Sequence, residues 1–374
     1  MVELKEAIDK IKSMDIIKSW ITDVSPNTRV SYYNGLAEFC MVNEVDPHEM
    51  LKIIHMEEEE RVPAWNRSIN KWFDAFDEHC KENKRTKSTR DNRRTVVNAF
   101  ISYHGLPKHI SKGGRRRFSG LKEPNKREVL KKEDIKKLLN ASKTWKMRAM
   151  ILAQLSSGLT GIDLINLKIE HFEEGIKELY DDNGHLRRVC MLHLVRQKTD
   201  KEFTTFFSEE AVLAIEKYLE LERVNPKPDE ALFSSYKKIG NHMKTTTLQT
   251  AYRNLNRYLG WEQEERGRFR KATSHMMRKY FNTQLINAGM PEEIREHMMG
   301  HVISNKVQDA YFLADPQELL KVYLKFMDYV TIEKREVNSD ELINDHVANN
   351  AKINELEDML REMKKKLDKV TEST

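Results

Sequence analysis

Two stretches of the chain decide its fold: residues 274–281 read SHMMRKYF, and residues 298–316 read MMGHVISNKVQDAYFLADP. In the first stretch, His275 and Arg278 are three residues apart, which places both side chains on one face of a helix. A guanidinium fork beside an imidazole suits an oxyanion such as a phosphate. The pattern occurs by chance in many proteins, so its meaning depends on the other motifs of the chain.

The second stretch adds further residues in a fixed order. Gly300 is typical of a helix C-terminus, His301 follows at once, and Tyr311 comes later on an amphipathic segment. A third segment, RQKTDKEFTTFF at residues 196–207, carries Lys198 beside a predicted hairpin turn. A lysine there is suited to reach DNA and to protonate a leaving oxygen. Taken singly, the tyrosine favours core packing and the lysine favours a solvated turn.

Composition limits the class of protein. The chain has 374 residues, 33% charged and 39% hydrophobic, which predicts two or three domains of a soluble globular protein. We find no run of about 18 apolar residues, so no membrane span is expected. The charged start MVELKEAIDKIKSM is unlike a secretory signal. Three scattered cysteines fit a reducing interior and a cytoplasmic protein.

Periodicity predicts a mainly α protein with a small antiparallel β-sheet. Apolar residues spaced by three and four indicate an N-terminal helical domain over 1–104. A basic linker over 105–130 and a second domain over 131–332 follow, with a hairpin from RVCMLHLV and EFTTFF. A tail over 333–374 completes the predicted organisation.

Positive charge is concentrated between the two domains. Residues 105–132 contain ten Lys or Arg and two Glu, a surface able to neutralise several phosphates. A solvated linker is the plain alternative, but the position between two domains favours a strap that faces DNA. The residues expected to contact DNA here and just upstream are Lys84, Arg85, Lys87, Arg90, Arg93, Arg94, Arg115, Arg116 and Arg117.

The tail carries a short heptad pattern. Its apolar positions are Ile353, Leu356, Leu360, Met363, Leu367 and Val370. The spacing indicates a coiled-coil-like helix, but it extends for less than three heptads. A self-association helix and a terminal helix that docks on its own domain stay equally open.

Together the motifs resemble the tyrosine recombinase, or phage integrase, family over most of the chain. In family order they are Lys198, His275, Arg278, His301 and Tyr311. The segment DAYFLADPQELLKVY is most similar to archaeal members, of the virus or plasmid type. The resemblance implies a SAM-like N-terminal domain and a catalytic domain.

One position departs from the family pattern. The segment SSGLTGIDLINLK, residues 156–168, has Thr160 where the family carries an arginine, while Asp163 matches and is interpreted as support for the site. Losing a cation aimed at transition-state charge costs several kcal/mol. Either another cation fills the role, or the chain is a slow or differently built member, or it binds DNA without recombining it. Candidate replacements are Arg148, Arg266, Arg268 and Arg270.

The resemblance implies a site-specific recombinase that needs neither metal nor ATP, nor any other cofactor. Tyr311 would form a covalent 3′-phosphotyrosyl bond, with Arg278, His275 and His301 around the phosphate and Lys198 as general acid. The implied partners are double-stranded DNA and further copies of the chain, as a tetramer on paired sites.

Two alternatives differ in function. The first is a catalytically impaired DNA-binding or architectural protein, favoured by Thr160. The second is an enzyme similar to type IB topoisomerases, which share this chemistry.

Overall fold

The structure is a computed structural model, and it describes residues 2–107, 129–180, 186–197, 199–261, 270–301 and 315–333. Within it the chain forms two compact units, Met1–Lys126 and Arg127–Thr374. Much of the predicted basic strap, with Arg115, Arg116 and Arg117, lies outside the described residues, as does the heptad pattern of the tail. The domain limits expected from the sequence stay a prediction.

The first unit is helical throughout its described elements. They are α1 (Val2–Ser13), α2 (Asp15–Trp20), α3 (Pro26–Val42), α4 (Pro47–Glu59), α5 (Ser68–Glu82) and α6 (Lys87–Tyr103). Ser25 and Asp46 begin α3 and α4 by accepting backbone N–H groups, and a proline follows each of them. The apolar faces meet in one core that includes Phe39, Phe73 and Phe100.

The second unit combines helices with one small sheet. Its helices are α7 (Lys132–Ala141), α8 (Trp145–Ser157), α9 (Gly161–Ile165), α10 (Ile169–Gly175), α11 (Glu209–Glu222), α12 (Thr245–Tyr258), α13 (Ser274–Asn287), α14 (Glu292–Met298) and α15 (Pro316–Val330). Its strands are β1 (Ile176–Tyr180), β2 (Leu186–Arg196) and β3 (Lys201–Phe207). The mainly α prediction with a small antiparallel sheet is confirmed.

The sheet has the order β1-β2-β3, and both neighbouring pairs are antiparallel. Side chains alternate along β2, so Cys190 and Leu192 pack into one hydrophobic cluster while Val189 belongs to another. The hairpin predicted from the sequence corresponds to β2 and β3. Strand β1 was not predicted, because its sequence IKELY is short, has two charged residues among five and carries no clear alternation.

Helix α8 lies at the centre of the second unit. Each of its residues is buried, which explains why the sequence pattern of this helix has no polar face. It packs against α11, α13 and β3. The C-terminus of α8 therefore ends inside the unit, where its last carbonyl groups need partners from other elements. No helix in the described part of the chain is both long and apolar enough to span a membrane.

Candidate active site

Arg278 is the centre of the site. It lies in the first half of α13, and only 8% of it is exposed. Its guanidinium donates to the carbonyl oxygen of Gly158 at 2.5 Å and to that of Met299 at 2.7 Å. Its Nη2 also lies 2.7 Å from Nε2 of His301. Three partners thus hold the guanidinium plane in one orientation.

The end of helix α8 explains why an arginine is buried here. Three successive carbonyl oxygens at this end accept side-chain hydrogen bonds from three different elements. The donors are Tyr323 to Ser156 at 3.0 Å, Thr205 to Ser157 at 2.7 Å, and Arg278 to Gly158 at 2.5 Å. A helix C-terminus carries partial negative charge, which stabilises the cation. Gly158 itself has a φ of 66°, a left-handed conformation that favours glycine.

His301 has its tautomer set by its two neighbours. Arginine can only donate, so Nε2 of His301 accepts from Arg278. The other nitrogen, Nδ1, lies 2.6 Å from Oε2 of Glu296 and donates to that carboxylate. The imidazole is therefore neutral in this arrangement, with its proton on Nδ1. Glu296 orients the ring, although no sequence motif pointed to this residue.

The pKa values follow from burial and from the crowding of cations. The pKa of Arg278 is lowered to about 10, first by burial and then by the nearby charge of Arg196, while Asp163 and Glu296 act in the opposite direction. The pKa of His301 is also lowered, mainly by burial, with contributions from Arg278 and Arg196 against the raising effect of Glu296. Arg278 keeps its charge at neutral pH, and His301 is neutral there.

A buried polar network positions the start of α13. Nε2 of Gln154 donates to Oγ of Ser274 at 2.5 Å and to the carbonyl of Leu159 at 3.2 Å. The hydroxyl of Tyr252 donates to Oε1 of Gln154 at 2.7 Å. These contacts connect α13 to the segment after α8. His275, the residue after Ser274, is exposed one turn before Arg278 on the same helix.

Thr160 has a structural task in place of the family arginine. Its side chain accepts the backbone N–H of Asp163 at 3.4 Å and so caps α9. Its hydroxyl also donates to the Asp163 carboxylate at 2.6 Å. Asp163 is buried, and its charge acts on Arg278. Thr160 thus brings no positive charge to the site.

Arg148, a candidate replacement for the missing cation, is engaged elsewhere. Its Nη2 pairs with Oε2 of Glu333 at 2.5 Å, and its Nη1 faces the carbonyl of Leu139. The expectation for Arg148 is therefore wrong, because it lies near the start of α8, at the opposite end of the helix from Gly158. Arg270 is half-buried, whereas Arg266 and Arg268 lie outside the described residues.

Arg196 is the cation that the structure brings to the site. As the last residue of β2 it pairs with Lys201, and its Nη1 donates to the carbonyl of Gly300 at 2.6 Å. The available signal in the sequence was its place two residues before Lys198. Lys198 and Tyr311 themselves lie outside the described residues, so their roles stay predictions.

The basic residues of the first unit are partly occupied by structural ion pairs. Two buried carboxylates hold four of the arginines expected to contact DNA. The pairs are Arg85–Glu38 at 2.8 Å, Arg93–Glu38 at 3.0 Å, Arg94–Asp77 at 2.7 Å and Arg90–Asp77 at 3.6 Å. Lys84 and Lys87 are exposed. DNA contact by these six residues stays a prediction, with a structural role now assigned to the arginines.

Replacing Glu296 by glutamine is expected to lower the pKa of His301 further below its ordinary value. Glutamine still offers an oxygen to Nδ1–H, but the charge that opposes Arg278 and Arg196 is lost. The pKa is measured by following the imidazole NMR signals of the full chain against pH. Glu292→Gln makes the same charge change at an exposed position of α14 and should leave this pKa unaltered.

The same substitution has a defined effect on stability. Because the folded pKa of His301 lies below its unfolded value, its contribution to stability is present above the unfolded pKa and is lost as pH falls through the folded pKa. In Glu296→Gln the folded pKa of His301 is lower, so the free energy of unfolding continues to fall down to a lower pH. An unchanged or higher pKa of His301 in this variant contradicts the assigned hydrogen bond.

Comparison with known proteins shows the family of the chain. The model of the phage integrase family matches residues 128–318, just over half of the chain, and the chain belongs to that family. Tyrosine recombinase XerC of Leptospira interrogans serogroup Icterohaemorrhagiae serovar copenhageni is 27% identical over 178 residues, 48% of this chain and 50% of the relative. The chain thus spans about half the length of this curated relative.

Solved structures share the fold. The Tn1549 transposon integrase in complex with transposon right end DNA has a TM-score of 0.52 at 16% identity, covering 83% of this chain and 99% of that chain. The same integrase in complex with circular intermediate DNA gives a TM-score of 0.51 at 17% identity, covering 83% and 97%. At these identities the likeness concerns the fold alone.

Proposed function

We propose that the chain is a site-specific DNA recombinase that cuts and rejoins strands through a covalent bond between Tyr311 and a 3′-phosphate. Membership of the phage integrase family supports the proposal. The observation that carries it is the buried Arg278, which is in contact with His301 and shares α13 with His275. A buried, preorganised guanidinium beside an imidazole is the arrangement that stabilises charge developing on a phosphate.

The cleavage step assigns one bond change to each group. Oη of Tyr311 attacks the phosphorus, the bond to the 5′-oxygen breaks, and Lys198 gives its proton to that oxygen. The phenol proton of Tyr311 passes to the exposed imidazole of His275, since imidazole is the side chain best suited to proton transfer near neutral pH. Attack by the 5′-hydroxyl of a partner strand reverses these steps and completes strand exchange.

Phosphate binding couples to a proton on His301. In the DNA-free protein Nε2 of His301 accepts from Arg278, so this nitrogen has no proton to give. A phosphate oxygen beside Nε2 needs a donor there, and the imidazole gains a proton as the anion arrives. Glu296 on Nδ1 stabilises the resulting imidazolium. The site therefore takes up a proton together with its negative ligand.

The setting of the reaction follows from the same proposal. The DNA partner is double-stranded, and a tetramer assembles on paired sites because exchange needs two cuts on each of two duplexes. The chain works in the cytoplasm, where its DNA lies, and serves an archaeal virus or plasmid. Lys84, Lys87 and the residues Arg115, Arg116 and Arg117 are proposed to contact phosphates, which position the protein without reading sequence.

The deciding experiment is capture of the covalent intermediate. A library of duplexes with randomised sequence and a nick near the cleavage position is incubated with the chain, because loss of the short fragment traps the adduct. We expect a protein–DNA adduct from the wild type, none from Tyr311→Phe, and an undiminished amount from Tyr329→Phe, whose phenol is exposed on α15.

The outcomes separate the candidate functions. Tight DNA binding by the folded wild type without any adduct favours the architectural protein, for which Thr160 is the supporting observation. Relaxation of plasmid DNA without a defined site, by a protein that stays monomeric on DNA, favours the topoisomerase. A sequence-dependent adduct and strand exchange between two duplexes support the recombinase.

A further inference from the structure

We propose that Arg196 is a second phosphate-binding guanidinium of the active site and takes over the role that Thr160 leaves open. The inference deepens the proposed function and depends on it only for the identity of the anion, a DNA phosphodiester. Its basis is the position of two guanidinium groups, those of Arg196 and Arg278, on successive carbonyl groups at the end of α14.

The geometry brings the two arginines together from distant parts of the chain. Arg278 donates from Nη2 to the carbonyl of Met299 at 2.7 Å, and Arg196 donates from Nη1 to the carbonyl of the next residue, Gly300, at 2.6 Å. The carbonyls of adjacent residues are only a few ångströms apart, so both cations lie at one helix end. His301, the following residue, contacts Arg278 directly.

Gly300 makes this approach possible. Its φ is 64°, and a Cβ atom built on it would lie 3.1 Å from Cδ of Arg196 and 3.1 Å from the ring of Phe203. A side chain at position 300 would therefore press on the stem of Arg196. The left-handed backbone also turns the carbonyl of Gly300 towards the end of β2.

Two positive guanidinium groups lie close together at this point, although their formal charge is matched by the two nearby carboxylates. Two guanidinium groups and an imidazole meet Glu296 and Asp163, and both carboxylates are already engaged, Glu296 by His301 and Asp163 by Thr160. Arg196 lowers the pKa of both Arg278 and His301, which is the mark of like charges in close proximity. A phosphate between the arginines would relieve this repulsion and accept charge-assisted hydrogen bonds.

A purely structural role for Arg196 is the alternative that must be distinguished from phosphate binding. A cation at the end of α14 stabilises that helix whether or not DNA binds. Arg196 is only half-buried, however, so the residue is not fully shielded from solvent or from a ligand. The two roles differ in their effect on anion affinity.

The first test measures anion binding without any need for cleavage. Inorganic phosphate is titrated into the full chain while the His301 imidazole signals are followed by NMR, with His301→Gln identifying them. We expect saturable shifts in the wild type, and affinity about tenfold weaker in Arg196→Met, since a charge-assisted hydrogen bond is lost. Arg196→Lys should keep part of the affinity, and Arg148→Met, a cation paired with Glu333, should keep all of it.

Two results of this titration overturn the proposal. One is equal phosphate affinity in wild type and Arg196→Met, when thermal unfolding shows that both chains are folded. The other is the absence of any phosphate effect on His301 in the wild type.

The second test uses the nicked duplex on which the wild type forms the covalent adduct. Arg196→Met should form the covalent adduct about 10²-fold more slowly, as for loss of one transition-state donor. The defect should shrink when a methylphosphonate replaces the scissile phosphodiester, because the neutral group needs less positive charge. Thr160→Arg in the Arg196→Met background should restore part of the rate. Such a restoration is not explained if Arg196 only stabilises the end of α14.

The results keep the two proposals distinguishable. Adduct formation in the wild type and in Arg196→Met at equal rates removes Arg196 from the mechanism and leaves the recombinase standing. Phosphate binding that depends on Arg196, in a chain that forms no adduct on any duplex, supports the anion site and overturns the recombinase.

Discussion

Replacing Arg278 by lysine is expected to slow formation of the covalent adduct by about 10²- to 10³-fold, the range for loss of one oxyanion donor. The arginine serves two carbonyl groups from different loops and His301 at the same time. An ammonium group is a compact point charge that lacks the planar fork needed to connect these partners. The rate is measured on the nicked duplex that the wild type cleaves.

The same variant should also be less stable. A carbonyl of Gly158 or Met299 that loses its donor stays buried, and the free energy of unfolding should fall by about 2 kcal/mol for an unsatisfied buried group. Arg223→Lys is the matched control, because Arg223 is a buried arginine bonded to Glu230 and to the carbonyl of Ala231. It should lose stability and keep the cleavage rate. Equal slowing in both variants contradicts a specific role for Arg278.

Gly158→Ala is expected to lower the free energy of unfolding by about 2 to 4 kcal/mol, from left-handed backbone strain together with overpacking. A Cβ atom on Gly158 would lie 2.8 Å from Cε1 of the buried Phe281 and closer still to Cδ1. Phe281 belongs to α13, the helix of Arg278. Displacement of that helix moves the guanidinium from the carbonyl of Gly158, so adduct formation should also fall.

A second glycine separates the two causes. Gly289 has a φ of 81° and no heavy atom within 4 Å of a built Cβ, so Gly289→Ala carries the backbone cost without the clash. Chemical denaturation should find Gly289→Ala less destabilised, by about 1 kcal/mol only. If the two variants lose equal stability, the contact with Phe281 does not decide the conformation of this site.

The sequence predicted those parts of the site that depend on local spacing. His275 and Arg278 lie on α13, as their separation by three residues requires, and Gly300 follows the end of α14 with a left-handed backbone. Helical periodicity and glycine's access to positive φ are properties of a few neighbouring residues, so they can be identified without the fold. The order of the motifs was sufficient to identify the family.

Three features could not be predicted in this way. The pairing of Glu296 with His301 looks like one of many charged contacts on a helix. Arg196 looks like an ordinary strand residue, and the arginines of α6 look free to contact DNA although buried Glu38 and Asp77 hold them. In each case the property depends on which group the fold has desolvated beside the charge.

The sequence by itself determined the mainly α architecture, the membership of the phage integrase family and the order of its motif residues. Only the tertiary structure decided which cations surround Arg278. The bonds from Arg278 to Gly158 and from Arg196 to Gly300 join residues 120 and 104 positions apart. Contacts at such separations arise from the packing of α8, α13, α14 and the sheet. No local pattern encodes them, because each bond forms only when the fold brings a guanidinium to a carbonyl group that is distant in the sequence.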